Sequence, residues 1–216
     1  MKFSRKRLVA VPQERNSIEK LDARAIYANE MAFYNNENLI FLDETGFNGH
    51  LKGSYGYSPI KVSAYKNVSA NRGTNRSLMC AILSSGVAAY SYKTGSYNSN
   101  TFIDFIISEL VPYFNENRNK VLIMDNARIH KTDEVQRILR EHNIAFRFTV
   151  PYSPQLNPIE EFFSILKAHY NSGKVLTPTL SIESILENNT FSEQFTGFFR
   201  NMRNWLEKAA RREPFI

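Results

Sequence analysis

Residues 119–167 read NKVLIMDNARIHKTDEVQRILREHNIAFRFTVPYSPQLNPIEEFFSILK, and the order of signals in this stretch decides the fold. Val121, Leu122, Ile123 and Met124 form an apolar run that stops at Asp125, the pattern of a buried strand with an acid at its carboxyl end. In open α/β sheets ligands gather outside the carboxyl ends of strands, so a carboxylate there stands where a site is expected. Asp133 to Glu141 has helical character, Ala145 to Val150 reads as a second strand, and the proline-rich turn PYSPQLNP feeds a helix that carries Glu160. The alternation predicts an α/β domain.

The turn can be read residue by residue. Asn157 suits an N-cap and Pro158 the first helical position, where a missing N–H costs nothing. Glu160 then falls third in the helix, and on spacing alone a capping box back to Asn157 is its commoner role. A third acid upstream shifts the balance. Asn38 to Phe47 reads NLIFLDETGF, an apolar strand predicted to end at Asp43, with Glu44 behind it. Three carboxylates at one sheet edge would repel and push one another's pKa upward. Hard divalent cations relieve this, since Mg²⁺ takes a few carboxylates together with water and phosphate oxygens. Two such ions can clamp both the attacking and the leaving oxygen in phosphoryl transfer.

The motifs LDETGF, IMDNARIH and PYSPQLNPIEEFF, in this order, resemble the signature of the DDE superfamily of transposases, in its mariner-type branch. Asp125 and Glu160 have thirty-four residues between them, residues 126–159, a spacing typical of one subgroup. The resemblance covers Asn38 to Lys167 closely and the flanks loosely. It implies a ribonuclease-H-like fold, a mixed five-stranded sheet flanked by helices. It implies Asp43, Asp125 and Glu160 as the catalytic acids and ligands of two Mg²⁺ or Mn²⁺ ions. Asn126, His130, Ser153 and Asn157 match family positions around them. The activity implied is cleavage of phosphodiester bonds at transposon ends followed by integration, with DNA as partner, a homodimer as the acting form and no small-molecule substrate. Full-length relatives carry a longer N-terminal DNA-binding region. Residues 1–37 are therefore read as the remnant of a helix-turn-helix region and linker, and residues 38–216 as the catalytic domain with C-terminal helices. A truncated or domesticated copy is part of that expectation.

The composition agrees. A chain of 216 residues with 43% hydrophobic side chains can bury one substantial core, and a net charge of +6 fits a polyanion partner. The single cysteine, Cys80, excludes an internal disulfide and a cysteine-based zinc cluster, and in LMCAIL it reads as a core residue. No apolar run reaches membrane-span length and the N-terminus lacks a secretory h-region. The expected location is the nucleus in a eukaryote, or the cytoplasm and nucleoid in a bacterium.

Along the chain, a helix is expected from about Ser17, with Lys20 and Arg24 on its polar side. Residues 48–77 are predicted to hold turns and one short strand around Ile60 to Tyr65. Between Glu44 and Asp104 there is no acid, whereas Lys52, Lys61, Lys66, Arg72, Arg76 and Lys93 fall inside, interleaved with Tyr55, Tyr57 and Tyr65. Spaced cations and rings suit a nucleic-acid track, and a solvated loop is the alternative. Leu78 to Leu83 and Val87 to Tyr92 predict a hairpin, and Asn100 to Phe114 a helix with Phe102, Phe105, Ile106 and Leu110 in the core. His130 reads as a residue behind the ligands or a DNA contact, because Mg²⁺ prefers oxygen. Glu44 and Glu161 point away if their neighbours point inward. Lys167, seven residues beyond Glu160, shares its side of the helix and could touch phosphate. Two further helices, Ser181 to Glu187 and Phe195 to Ala210, close the chain. The second has an apolar face (Phe198, Phe199, Met202, Trp205, Leu206) and a basic one (Arg200, Arg203, Lys208, Arg211, Arg212).

Two other functions compete. One is a catalytically silent DNA-binding remnant, and the other a two-carboxylate glycoside hydrolase, which the acid-free basic passage disfavours.

Overall fold

The computed structural model describes residues 12–47, 58–63, 65, 75–177, 179–188 and 190–215. Strands β1 (Leu39–Phe47), β2 (Arg76–Leu83), β3 (Gly86–Thr94), β4 (Val121–Met124) and β5 (Ala145–Phe148) form one sheet in the order β3-β2-β1-β4-β5. The first three are antiparallel neighbours, whereas β4 lies parallel to β1 and β5 parallel to β4. This is the mixed five-stranded, ribonuclease-H-like sheet that the motifs led us to expect.

Successive strand residues face opposite ways, and here both faces are covered. Leu39, Phe41, Val121 and Ile123 enter one core with Tyr27 of α1 (Ile18–Met31), Phe162 of α5 (Pro158–Leu176), Ile182 of α6 (Ile182–Glu187) and Phe199 of α7 (Ser192–Ala210). Ile40, Leu42, Leu122 and Met124 enter a second core with Phe102 and Phe105 of α2 (Ser99–Phe105), Phe114 of α3 (Val111–Glu116) and Leu139 of α4 (Asp133–Glu141). Double burial is why the strands read as unbroken apolar runs. Cys80 is buried as expected. No described helix is long and apolar enough to cross a membrane.

Several boundaries differ from the sequence reading, each for a physical reason. β1 does not end at Asp43 but runs on to Phe47, because β2 continues to pair with it as far as Phe47 opposite Arg76. β5 stops at Phe148, two residues early, although Thr149 N–H still donates to Met124 O at 2.8 Å. Pro151, which follows Val150, has no N–H to extend a ladder. The helix expected over Asn100 to Phe114 is α2 and α3 joined by a π turn, Ile106–Leu110. Pro112 lacks the N–H that an α-helix would bond back to Ser108, and the wider turn accommodates its ring. Residues 58–63 form a turn, closed by Val62 N–H to Pro59 O at 3.0 Å with Lys61 at φ 69°, where part of a strand was expected.

Two arginines depart from their expected solvent faces. Arg24 is fully buried rather than on the polar side of α1. Arg203 turns inward from the basic side of α7, donating to Asn36 Oδ1 at 2.7 Å, to Met31 O at 2.7 Å and to Tyr34 O. It thereby holds carbonyls at the end of α1, which a C-terminal helix end leaves without partners. Arg200 and Arg211 stay exposed, and Arg212 pairs with Asp22 at 3.0 Å. Replacing Arg203 by lysine removes the planar fork that serves three acceptors and should cost about 1–3 kcal/mol in urea unfolding. Arg200→Ala should stay within about 0.5 kcal/mol of the natural chain. Equal effects of the two would refute the inward role of Arg203.

Candidate active site

Leu42 is level with Met124 across the parallel β1–β4 pair, so Asp43 and Asp125 are the next residues along neighbouring strands. β4 ends at Met124 while β1 continues along β2, which leaves Asp43 open on one flank. Asp43 keeps the parity of Leu39 and Phe41, whose side chains join the core against α5. The start of α5 therefore arrives over the same edge. Asp43, Asp125 and Glu160 line one cleft of about 380 Å³.

The turn into α5 is built as read in its backbone but not in its side chains. Asn157 is the N-cap residue and Pro158 opens the helix, yet the Asn157 side chain makes no cap bond. Its Nδ2 donates instead to Asp43 Oδ2 at 2.9 Å. That charge-assisted bond fixes the amide's orientation; its Oδ1 caps no N–H of the helix, and the Asn157 N–H donates to Pro154 O rather than to Glu160. The capping-box reading of Glu160 is thus overturned. Ser153 is buried in the same turn, and its Oγ accepts from Arg24 Nε at 2.8 Å. Asn126 Nδ2 donates to Thr149 O and so ties the loop after β4 to the end of β5.

The three acids differ electrostatically. Burial, then the charge of Asp125, pushes Asp43 up to about 7, although the Glu44 N–H donates to its Oδ1 at 2.7 Å. Burial also acts upward on Asp125, but it is outweighed by the hydrogen bond from His130 and by the Ala127 N–H, with the charges of His130 and Lys131 adding. The net pKa of Asp125 lies below the ordinary range. Glu160 is raised by burial and by Asp125, against the pull of Lys167.

His130 is 1% exposed, with Nδ1 2.7 Å from Asp125 Oδ1. An ionised carboxylate can only accept, so Nδ1 carries the proton there. Phe102 packs on the ring at 4.6 Å between centroids. The imidazole sits behind Asp125 and orients it, as a hydrogen-bonded neighbour orients a metal ligand. Glu44 faces a second cleft of about 380 Å³ on the other side of the Asp43–Asp125 pair, where its Oε1 accepts from the Tyr97 N–H at 3.4 Å. Glu161 points away, accepting from Asn201 Nδ2 at 2.5 Å. Lys167 lies on the Glu160 side, its Nζ 5.8 Å from the Phe47 ring centroid. Of the proposed DNA contacts, Lys61 is exposed in its turn and Arg76 opens β2 over Tyr92. Lys52, Lys66 and Arg72, with Tyr55 and Tyr57, lie outside the described residues. The sequence reading missed Arg24 and Lys131. An arginine within a helix carries no sign of burial, whereas Lys131 follows His130 directly and could have been noted.

Among the described residues no three His, Cys, Asp or Glu side chains are already grouped as a metal-holding set. The residues present still fit a hard cation. The donors are carboxylate and amide oxygens, and burial, with the charge of Asp125, raises both Asp43 and Glu160.

A family model described as DDE superfamily endonuclease matches residues 38–178. No curated protein matches the sequence. Among solved structures, the Mos1 transposase paired-end complex with left transposon end is similar at TM-score 0.73 and 18% identity, over 99% of this chain and 66% of that one. The Mos1 mariner paired end complex with Mn gives 0.72 and 18%, over 100% and 67%. The catalytic domain of Mos1 mariner transposase gives 0.64 and 16%, over 97% of this chain and 100% of that one. The chain thus spans about two thirds of the transposases in the complexes and the whole of the isolated domain. At these identities the likeness is one of fold.

Asp43 holds its proton more tightly folded than unfolded, so the stability it gives is complete below about pH 4 and is lost as pH rises through its folded value near 7. Asp43→Asn removes that loss. In metal-free protein it should raise stability at pH 8 by on the order of 2 kcal/mol and change little at pH 4, measured by thermal melts across pH. A D43N chain no more stable than the natural one at pH 8 contradicts the electrostatic picture.

Proposed function

The chain belongs to the DDE superfamily of endonucleases, and on that premise we propose that it is a metal-dependent DNA endonuclease and strand transferase of the mariner type. The observation that carries this reading is the single cleft that Asp43, Asp125 and Glu160 share. In the proposal these three hold Mg²⁺ or Mn²⁺, two ions per site. When bound, the ions supply Lewis-acid polarisation of the phosphoryl group and neutralise charge developing on the attacking and leaving oxygens.

The remaining roles belong to the chain itself. Asn157 fixes the rotamer of Asp43 through its Nδ2 bond, and His130 does the same for Asp125. In the proposal Lys167, on the Glu160 side of the cleft, and the cations Lys61 and Arg76 contact DNA phosphates. Asn126 holds the loop that carries Asp125. The substrates proposed are transposon ends and target DNA, worked on by a homodimer. That assignment is supported by the fold shared with transposases solved as paired-end complexes.

Nicking of supercoiled plasmid in Mg²⁺ or Mn²⁺ tests the reading. Asp125→Ala or a chelator should reduce the rate by more than about 100-fold, while Glu161→Gln, which alters a carboxylate facing α7, should stay within about twofold. A well-folded natural chain that nicks no faster than Asp125→Ala would instead favour the silent remnant, with DNA binding then to be measured.

A further inference from the structure

Arg24 is 0% exposed, and among the described residues no carboxylate meets it. Its donors go to neutral acceptors: Nε to Ser153 Oγ at 2.8 Å, Nη1 to Asn16 Oδ1 at 3.2 Å, and Nη2 to Arg15 O. The guanidinium carbon lies 4.3 Å from the Phe215 ring centroid. A buried cation without a counter-ion is costly, and an apolar side chain would fill the same space with less desolvation. What the guanidinium adds is a rigid, aimed donor.

That donor meets the turn from which α5 starts. Ser153 Oγ, while accepting from Arg24, donates to Pro151 O at 3.2 Å. The bond spans Tyr152, a non-glycine residue at φ 59°. A left-handed backbone at such a residue persists only where its surroundings over-determine it. Beyond Ser153, Leu156 N–H donates to Ser153 O at 3.0 Å and Asn157 N–H to Pro154 O at 3.0 Å. Asn157 then reaches Asp43 through Nδ2 at 2.9 Å, and its carbonyl accepts the Glu160 N–H at 3.1 Å. Hydrogen bonds and the short backbone between them connect Arg24 to both Asp43 and Glu160. Behind Arg24, Asn16 Oδ1 also accepts the Phe215 N–H at 3.0 Å, and Asn16 Nδ2 donates to Phe215 O at 3.1 Å.

We propose that Arg24 is a positioning residue for the active site: its bond to Ser153 locks the turn at residues 151–157 and so sets where Asn157 and Glu160 stand relative to Asp43. The segment before α1 and the segment after α7 are tied to that turn through the same guanidinium. For its catalytic readout the inference rests on the endonuclease reading; for its structural readout it does not.

The test compares Ser153→Ala, Ser153→Thr and the double variant Arg24→Met/Ser153→Ala in the full chain. Ser153→Ala leaves the Arg24 donor buried without its partner, whereas the double variant removes both members and relieves that cost. Hydrogen exchange of the Leu156, Asn157 and Glu160 amides should quicken by about tenfold or more in Ser153→Ala and in the double variant, with β1 and α7 unchanged. Plasmid nicking should lose about 10- to 100-fold in kcat with KM for DNA within about twofold. The double variant should recover part of the Tm lost in Ser153→Ala, since Arg15 O also loses its donor, without recovering kcat, and Ser153→Thr, which keeps the hydroxyl, should preserve both. Unchanged exchange at the three amides overturns the proposal, as does kcat returning together with Tm in the double variant. If the natural chain does not nick at all, the endonuclease reading fails, and the exchange result alone decides the role of Arg24.

Discussion

The parallel register of β1 on β4 is the constraint from which the site follows. β4 has four residues, all buried, and β1 has nine. Where β4 ends, β1 goes on along β2, so the flank that β4 covers opens at Asp43 and stays open to Phe47. Shifting the pair by one residue would turn Asp43 to the other face of the sheet, toward the core of α2 and α4. Close packing opposes that slip: Leu39 and Phe41 would exchange cores with the differently shaped Ile40 and Leu42. The packing that stabilises the sheet thus fixes the place of the acid.

Much of this was legible in the sequence. Double-sided burial writes a strand as a continuous apolar run, and VLIM and LIFL each stop at an acid. What such a run reports is where two-faced burial ends, which need not be where the strand ends. For β4 the two coincide. For β1 they do not, since Asp43 to Phe47 stay paired to β2. Pro158 located the start of α5 to the residue, because position N1 tolerates a missing N–H whatever the surroundings.

Side-chain partners were less legible, and distance along the chain explains why. The local rule for Asn157 names a partner within its own turn, but its actual acceptor lies 114 positions away. Arg24 finds Ser153 across 129 positions, and Arg203 finds Met31 O across 172. In a helix written with mixed polar residues, an arginine facing solvent and one facing a buried turn have the same letter and the same period. The residue types of the candidate site were therefore readable, whereas the bonds that orient them needed the fold.

Those bonds share a chemical character. Of the four that orient Asp43 and Asp125, three come from amide N–H groups: Glu44 and Asn157 to Asp43, and Ala127 to Asp125. The fourth comes from the imidazole of His130. Among the described residues, no lysine or arginine forms an ion pair with Asp43, Asp125 or Glu160. A lysine in place of Asn157 could also hold Asp43, but it would cancel the charge as it did so. An amide fixes the carboxylate's rotamer and leaves its negative charge in the cleft. Burial and then the neighbouring charge of Asp125 raise Asp43, and the amide donors do not offset them. Were a divalent cation held there as proposed, it would meet oxygens already oriented by amide donors that do not compete with it. Orienting Asp43 with amide donors is thus a way of keeping its geometry and its charge independent.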